Sequence, residues 1–179
     1  MTTARPLLAL ALALAGCGSS DGGGGEGDTK AFEAKNIGIT FDYPDEMEKA
    51  TDVKIDQSAG AEARATAGVG YDERNGIFVQ RYDLKRSIGK DDLEAVKPEV
   101  DNLFEQGFGQ PADGEATEVG GLPALEYEFD VTGRPGEESR FLVIFDGDTE
   151  YTINCQSNKE RREDIAKACD VALETVKKT

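Results

Sequence analysis

The side chains best suited to covalent chemistry in this chain are three cysteines, Cys17, Cys155 and Cys169. The 179 residues include no histidine, which excludes a Ser-His-Asp triad, a Cys-His pair, a histidine zinc site and a neutral imidazole base. Neither a Gly-x-Ser-x-Gly motif nor a glycine loop placed to cradle a phosphate is present. We therefore predict that the protein is not an enzyme and that it carries no metal and no cofactor.

The first of these cysteines follows an apolar segment at the start of the chain. A single positive charge, Arg5, precedes nine apolar residues at positions 7–15, which as a helix would span about 14 Å. A membrane-spanning helix needs about 20 residues, so the segment is predicted to be a signal peptide instead. Small residues come directly before the cysteine, in the sequence Leu14-Ala15-Gly16-Cys17.

This tetrapeptide resembles the lipobox of bacterial lipoproteins. The resemblance implies that the Cys17 thiol receives a diacylglyceryl group, that the chain is cut before it, and that the new N-terminus is acylated, for example with palmitate. Residues 1–16 would be the signal peptide, residues 17–31 the lipidated cysteine with a flexible Gly-rich linker, and residues 32–179 one folded domain. Two acyl chains hold a protein to a bilayer durably, so we expect it on the extracytoplasmic face of the cell membrane. The alternative is a buried cysteine in an apolar segment.

The other two cysteines lie near the C-terminus, 14 positions apart. Cys155 ends a predicted strand, and Cys169 lies on the apolar stripe of a predicted terminal helix. Disulfides persist outside the cytoplasm, and with Cys17 lipidated these are the only thiols left, so we predict that they form a disulfide. The alternative is two inert buried thiols; a redox-active pair is disfavoured because the spacing is not Cys-x-x-Cys.

Two periodicities predict the elements that position these residues. Alternating apolar residues predict strands near positions 37–43, 53–55, 63–71, 76–84, 121–131, 140–145 and 150–155. Apolar spacings of three and four predict helices near positions 91–106 and 159–178, where Pro98 either kinks the first helix or divides it. A tight turn is predicted at residues 146–149. This order predicts an α+β fold, with an antiparallel sheet covered by helices.

Three segments of the domain resemble those of actinobacterial lipoproteins of the LpqN type, which are related to PsbP, the extrinsic protein of photosystem II. They are residues 39–44, the sequence Gly-Gly-Leu-Pro-Ala at 120–124, and the strand pair from Phe145 to Cys155 before a helix with its own cysteine. The resemblance covers about residues 32–178. It implies PsbP-like α/β/α layers and a non-enzymatic binding or assembly role at the envelope, and it carries over no catalytic residue.

The charge of the chain limits its partners. Once Arg5 is removed, 36 acidic side chains stand against 19 basic ones, a net charge of about −17. Such a surface repels nucleic acid and anionic lipid headgroups, so we expect no nucleic-acid partner and no membrane contact beyond the anchor. The predicted function is a lipid-anchored binding or scaffold module that acts on another envelope protein or a cell-wall component.

Two other functions are open to an acidic chain. One is a small-ligand or divalent-cation-binding lipoprotein, because calcium takes six to eight oxygen ligands. The two acidic clusters that could supply them are Asp146, Asp148 and Glu150, and Asp42, Asp45 and Glu46. The EF-hand spacing is absent, so solvated acidic turns are the favoured interpretation. The other is an enzyme using Glu126 and Glu128, which share a strand face that we expect to face water.

Overall fold

The computed structural model describes residues 28–50, 63–131 and 133–179. Cys17, the predicted signal peptide and the predicted strand at residues 53–55 lie outside these ranges, as does most of the predicted linker. Within the described ranges no helix is long and apolar enough to cross a membrane.

The described chain forms nine strands and two helices. The strands are β1 Thr29–Phe32, β2 Ile39–Pro44, β3 Glu48–Lys49, β4 Ala65–Gly70, β5 Gly76–Ile88, β6 Glu115–Val119, β7 Leu122–Asp130, β8 Glu138–Ser157 and β9 Lys177–Lys178. The helices are α1 Leu93–Phe108, preceded by a short 3-10 turn, and α2 Arg162–Thr175. Six strands form one sheet in the order β3-β4-β5-β8-β7-β6, and β1-β2-β9 form a second, with every pairing antiparallel. The predicted α+β antiparallel architecture is confirmed.

Two apolar cores lie on opposite faces of the large sheet. The first packs α2 and the β1-β2 pair against one face, and includes Phe41, Ile153 and Ile165. The second packs α1 against the other face of β7 and β8, and includes Val96, Phe129 and Phe145. Because β7 and β8 bury side chains on both faces where they pair, they form the middle layer of the domain.

Strand β8 is longer than the sequence indicated. The two strands predicted at 140–145 and 150–155 are one strand of 20 residues, so the turn predicted at residues 146–149 is wrong. Its first half pairs with β7 and its second half with β5. Gly147 has a φ of +63°, and β5 carries extra residues between Asp83 and Ile88 opposite it. The Asp-Gly-Asp sequence therefore makes an irregularity within a continuous strand, and no chain reversal occurs there.

The helix boundaries also correct the prediction in places. Helix α1 runs through Pro98 as one element and ends at Gly109, whose φ of +68° gives the left-handed termination expected of glycine. Helix α2 ends at Thr175, because Val176 is extended and the two lysines that follow pair with β2. Just before α2, the side-chain oxygen of Asn158 accepts hydrogen bonds from the backbone N–H groups of Glu160 and Arg161.

Four strands, β1, β3, β6 and β9, lie where the sequence predicted none, and β3 and β9 have only two residues each. Only Val119 of the five residues of β6 is buried. Strand β1 begins at Thr29, within the segment predicted as linker, and it stacks Phe32 on Phe41 of β2. Neither strand has enough alternating apolar residues to be recognised, since each is stabilised by its neighbour in the sheet.

The predicted bond between Cys155 and Cys169 is present, with 6.0 Å between the Cα atoms. Cys155 belongs to β8 and Cys169 to α2, and both lie in the first core. The bond therefore joins the layer of α2 covalently to the middle strand of the large sheet.

We expect reduction of this disulfide to lower the free energy of unfolding by about 3 kcal/mol, because the bond closes a short loop in the unfolded chain. The measurement is chemical denaturation of the mature protein with and without a reductant. Reduction keeps both sulfur atoms in the core, so the comparison isolates the effect of the bond. Equal stability of the two forms would show that the bond does not constrain the unfolded state.

Candidate functional site

The first of the two acidic clusters is divided between the two faces of the sheet. Asp146 pairs with Lys178 at 2.7 Å and lies near Tyr151 of the first core. Tyr151 points into the first core, and Glu150 is the residue before it in β8. Because adjacent strand residues point to opposite faces, Glu150 lies on the face of the sheet away from the first core. Within the described ranges no group of three or more acidic or cysteine side chains could hold a metal ion.

The two acids considered for an enzyme, Glu126 and Glu128, lie in different environments. Glu126 is half-buried and accepts a hydrogen bond from Nε of Arg140, which also donates to Asp170 of α2 at 2.7 Å. Glu128 is exposed. Glu126 therefore faces water only in part, and the two ion pairs of Arg140 link β7, β8 and α2. Through Arg140, this carboxylate helps to attach α2 to the large sheet.

A different group of side chains lies on β5 and β8. In the antiparallel register Phe78 is opposite Asn154, Gln80 is opposite Thr152, and Tyr82 is opposite Glu150. The alternate residues of these strands, such as Val79 and Ile153, enter the first core. The six side chains therefore share the opposite face of the sheet, because successive residues of a strand point to opposite sides. We call this group the polar face: Phe78, Gln80, Tyr82, Glu150, Thr152 and Asn154.

Two amides of the polar face are buried without partners. Gln80 and Asn154 are each 5% exposed, and neither side chain makes a hydrogen bond within the part of the chain that the structure describes. The Oδ1 atom of Asn154 is a fully enclosed acceptor with no donor. A buried polar group left unpaired costs about 1–3 kcal/mol, and native proteins contain few of them. Such groups are therefore candidates for contact with a ligand.

Glu150 lies beside them in an environment that disfavours its charge. Burial raises the pKa of its carboxyl to about 7, and the side chain makes neither an ion pair nor a hydrogen bond within the described chain. Across the strand, burial and the negative charge of Glu150 raise the pKa of Tyr82 to about 12. A carboxyl that titrates near neutral pH because it is desolvated is typical of a functional site.

A glycine of β4 makes room for the aromatic ring at one end of the polar face. The ring of Phe78 is buried and belongs to neither apolar core. It lies over Gly68 of β4, where an added Cβ would be 2.7 Å from the ring and 2.9 Å from the carbonyl oxygen of Ile77. Position 68 of β4 therefore takes glycine, because the ring leaves no room for a side chain there.

Sequence reasoning predicted both strands of this site but did not single out the face. Polar residues that alternate with apolar ones are also the pattern of an ordinary solvent-facing strand. The burial of Gln80 and Asn154 depends on the pairing of β5 with the second half of β8. No pattern of residue types in the sequence specifies that register.

No protein-family model matches the sequence, and no curated protein is similar to it. The fold, however, is similar to solved structures. A protein of Bacteroides thetaiotaomicron VPI-5482 has a TM-score of 0.57 and 10% identity over 84% of this chain and 48% of its own, so this chain spans about half its length. Cyanobacterial PsbP (CyanoP) from Synechocystis sp. PCC 6803 has a TM-score of 0.52 and 17% identity over 90% of this chain and 98% of its own.

LpqN, which is involved in cell envelope biogenesis of Mycobacterium tuberculosis, has a TM-score of 0.46 and 12% identity over 85% of this chain and 91% of its own. The similarity to CyanoP confirms the predicted PsbP-like fold. At these identities the comparisons establish the fold alone.

We expect Glu150→Gln to stabilise the protein at pH 8 and to leave its stability unchanged at pH 4. The native pKa of about 7 is above the ordinary value of 4.5, so the native state holds this proton more tightly than the unfolded state. Stability is therefore lost as pH rises through this window, by roughly 1–3 kcal/mol for this one group.

The measurement is the difference in unfolding free energy between variant and wild type at pH 4, 6 and 8. Glu160→Gln removes an exposed carboxylate before α2 and serves as the matched control. A stability difference that does not change with pH would show that Glu150 is not desolvated.

Proposed function

We propose that this chain is a lipid-anchored, non-enzymatic binding module of the bacterial cell envelope, and that the polar face is its binding surface. The observation that carries the proposal is the set of buried side chains without partners on β5 and β8. The Oδ1 atom of Asn154 is enclosed without a donor, and Gln80 is buried without a hydrogen bond in the described chain. Glu150 is desolvated and has no counter-ion among the described residues. A partner that supplied donors would reach Gln80 and Glu150, whose polar atoms are not among the fully enclosed ones.

The sequence around Cys17 supports attachment to a membrane. It has the order of charge, apolar run, small residues and cysteine that lipoprotein signals have. The disulfide between Cys155 and Cys169 fits an oxidising compartment outside the cytoplasm, and it leaves Cys17 as the single remaining thiol. Strand β1 begins 12 positions after Cys17, so an anchor there would keep the domain within about 40 Å of the bilayer.

The arrangement of acids supports a role without catalysis. Burial is the resolved cause of the pKa shift of Glu150, and no second carboxylate contributes to it. Glu126 is engaged by Arg140, and Glu128 is exposed. A pair of carboxylates with separated roles, which acid-base catalysis by such residues needs, is not found among the described residues.

A small-ligand-binding lipoprotein is the second candidate, because the same unpaired groups suit a soluble ligand as well as a protein. The divalent-cation form of that function is not supported, since Asp146 and Glu150 lie on opposite faces of the sheet. The occupant of the polar face in the cell distinguishes the two candidates.

We expect Cys17→Ser to move the protein from the membrane fraction to the soluble fraction and to abolish labelling by an alkyne-tagged palmitate. The thiol is the proposed attachment point, so a hydroxyl cannot replace it in the acyl-transfer step. The double variant Cys155→Ser/Cys169→Ser should retain the label. Labelling that survives Cys17→Ser, or a wild type that takes no label, would contradict the anchor.

We expect a photoreactive amino acid at Thr152 to capture a specific species in intact cells, identified by mass spectrometry. Thr152 lies in the middle row of the polar face, whereas Ala166, the control position, is exposed on α2. Replacing Gln80 and Asn154 by leucine in the crosslinking chain should abolish the capture. Identical products from both positions would show that the polar face is not the binding surface.

A further inference from the structure

Strand β6 forms one edge of the large sheet. It is the last strand in the order β3-β4-β5-β8-β7-β6, so its one neighbour is β7. No other described segment pairs with its outer side. An open edge presents unpaired N–H and C=O groups, and an extended segment of another chain can add to them as a further strand. The edge of β6 is therefore a candidate interaction surface, and β7 and part of β8 separate it from the polar face.

The hairpin between β6 and β7 determines which backbone groups point outward. Val119 pairs with Leu122 across a two-residue turn, and both turn residues are glycines with positive φ. The pair that closes such a turn exchanges hydrogen bonds, and bonded positions then alternate along the strand. The odd-numbered residues of β6 therefore bond to β7, whereas the N–H and C=O groups of Ala116 and Glu118 point away from it.

Contacts at both ends hold β6 in place, although Val119 is its one buried residue. Before the strand, the N–H group of Gly114 donates to Oδ1 of Asp101 in α1 at 3.0 Å. After the strand, Gly120 lies against the carbonyl oxygen of Val176, and an added Cβ would be 2.7 Å from that oxygen. A strand fixed in this way loses little conformational freedom when a partner pairs with it, which lowers the cost of binding.

Charge indicates the kind of segment that fits this edge. Residues 113–130 include six acidic side chains and no basic one. Glu115 is directly opposite Glu126, an arrangement of like charges that destabilises a strand pair, and it has no cation of its own in the described chain. Lys90 forms an exposed ion pair with Glu118 at 3.4 Å, which contributes little. A lysine or arginine on an added strand would lie beside Glu115 and balance its charge.

The same charges disfavour a second copy of this chain as the occupant. If two β6 edges paired, Glu115 and Glu118 of one copy would lie beside those of the other, and like charges on adjacent strands are destabilising. Short, charged edge strands are one way in which native sheets avoid pairing with themselves. The edge therefore resists its own copies and favours a segment of opposite charge.

We propose that β6 binds an extended, positively charged segment of another protein, which adds to the large sheet as a seventh strand. The backbone groups of Ala116 and Glu118 pair with this segment, and Glu115 gives the preference for lysine or arginine. The edge is a second interaction surface beyond the proposed function, because it depends neither on the polar face nor on the membrane anchor.

The test is amide hydrogen exchange, followed by NMR on the mature protein with the blocked peptide acetyl-Lys-Val-Lys-Val-Lys amide. Saturating peptide should slow exchange at Ala116 and Glu118 by about tenfold and leave Thr117, which already bonds to β7, unchanged. The control acetyl-Lys-Pro-Lys-Pro-Lys amide has the same charge but cannot form a ladder, so it should protect neither position. Unprotected amides at Ala116 and Glu118, or equal protection by the proline peptide, would overturn the proposal.

Two kinds of variant separate backbone pairing from charge. Ala116→Pro removes an outward N–H group without breaking the β6–β7 ladder, so it should abolish the protection of Glu118, whereas Ala116→Ser should retain it. Glu115→Gln leaves the backbone intact and should weaken peptide binding by about threefold. Glu160→Gln removes the same charge from an exposed position before α2 and should have little effect. Equal losses in the two glutamine variants would contradict the proposal, since general attraction to an acidic protein predicts them.

The other outcomes are also distinct. Protection of Ala116 and Glu118 that grows with protein concentration in the absence of peptide would assign the edge to a second copy and overturn the proposal. Peptide pairing at β6 together with failed capture from Thr152 in cells would keep the edge as an interaction surface and remove the polar face as one. Capture from Thr152 without peptide pairing at β6 would do the reverse.

Discussion

The pairing of β8 with two different strands is the constraint on which the rest of the domain depends. Its first half hydrogen-bonds to β7 and its second half to β5, so one strand of 20 residues joins the two parts of the large sheet. Where it pairs with β7, its side chains are buried on both faces. Helix α2 packs on one of these faces and α1 on the other. Where it pairs with β5, one face enters the core under α2 and the other becomes the polar face.

The two faces of β8 differ in how completely their groups are satisfied. Asn154 and Cys155 are adjacent residues of β8, so their side chains point to opposite faces of the sheet. The disulfide to α2 therefore lies on one face and the enclosed amide on the other. Within the described chain, the apolar side of this region is complete, with Ile153 fully buried and Cys155 bonded. The polar side is incomplete, because its amides and its carboxyl lack partners. The disulfide-bonded strand β8 therefore has one closed apolar side and one polar side whose groups lack partners in the described chain.

The parts of this fold that the sequence predicted are those where local pattern and tertiary environment agree. Strand β2 alternates Ile39, Phe41 and Tyr43 into the core as expected, and the apolar stripe of α2 places Cys169 where Cys155 can reach it. The pattern failed where pairing decides the structure. Strand β6 is almost wholly exposed, and β9 consists of two lysines that are extended because they hydrogen-bond to β2. The polar face was missed for the same reason, since its burial follows from register and not from residue type.

Strand β1 acquires a mechanical meaning if the chain is held at Cys17. It is the first element after the tether, and four residue pairs with β2 connect it to the rest of the domain. Any force between the membrane and a bound partner then passes through this ladder before it reaches the cores. The stacked rings of Phe32 and Phe41, buried at the far end of the ladder from the tether, would be the last contact to yield. The small sheet would thus carry the force, and it is separate from the polar face.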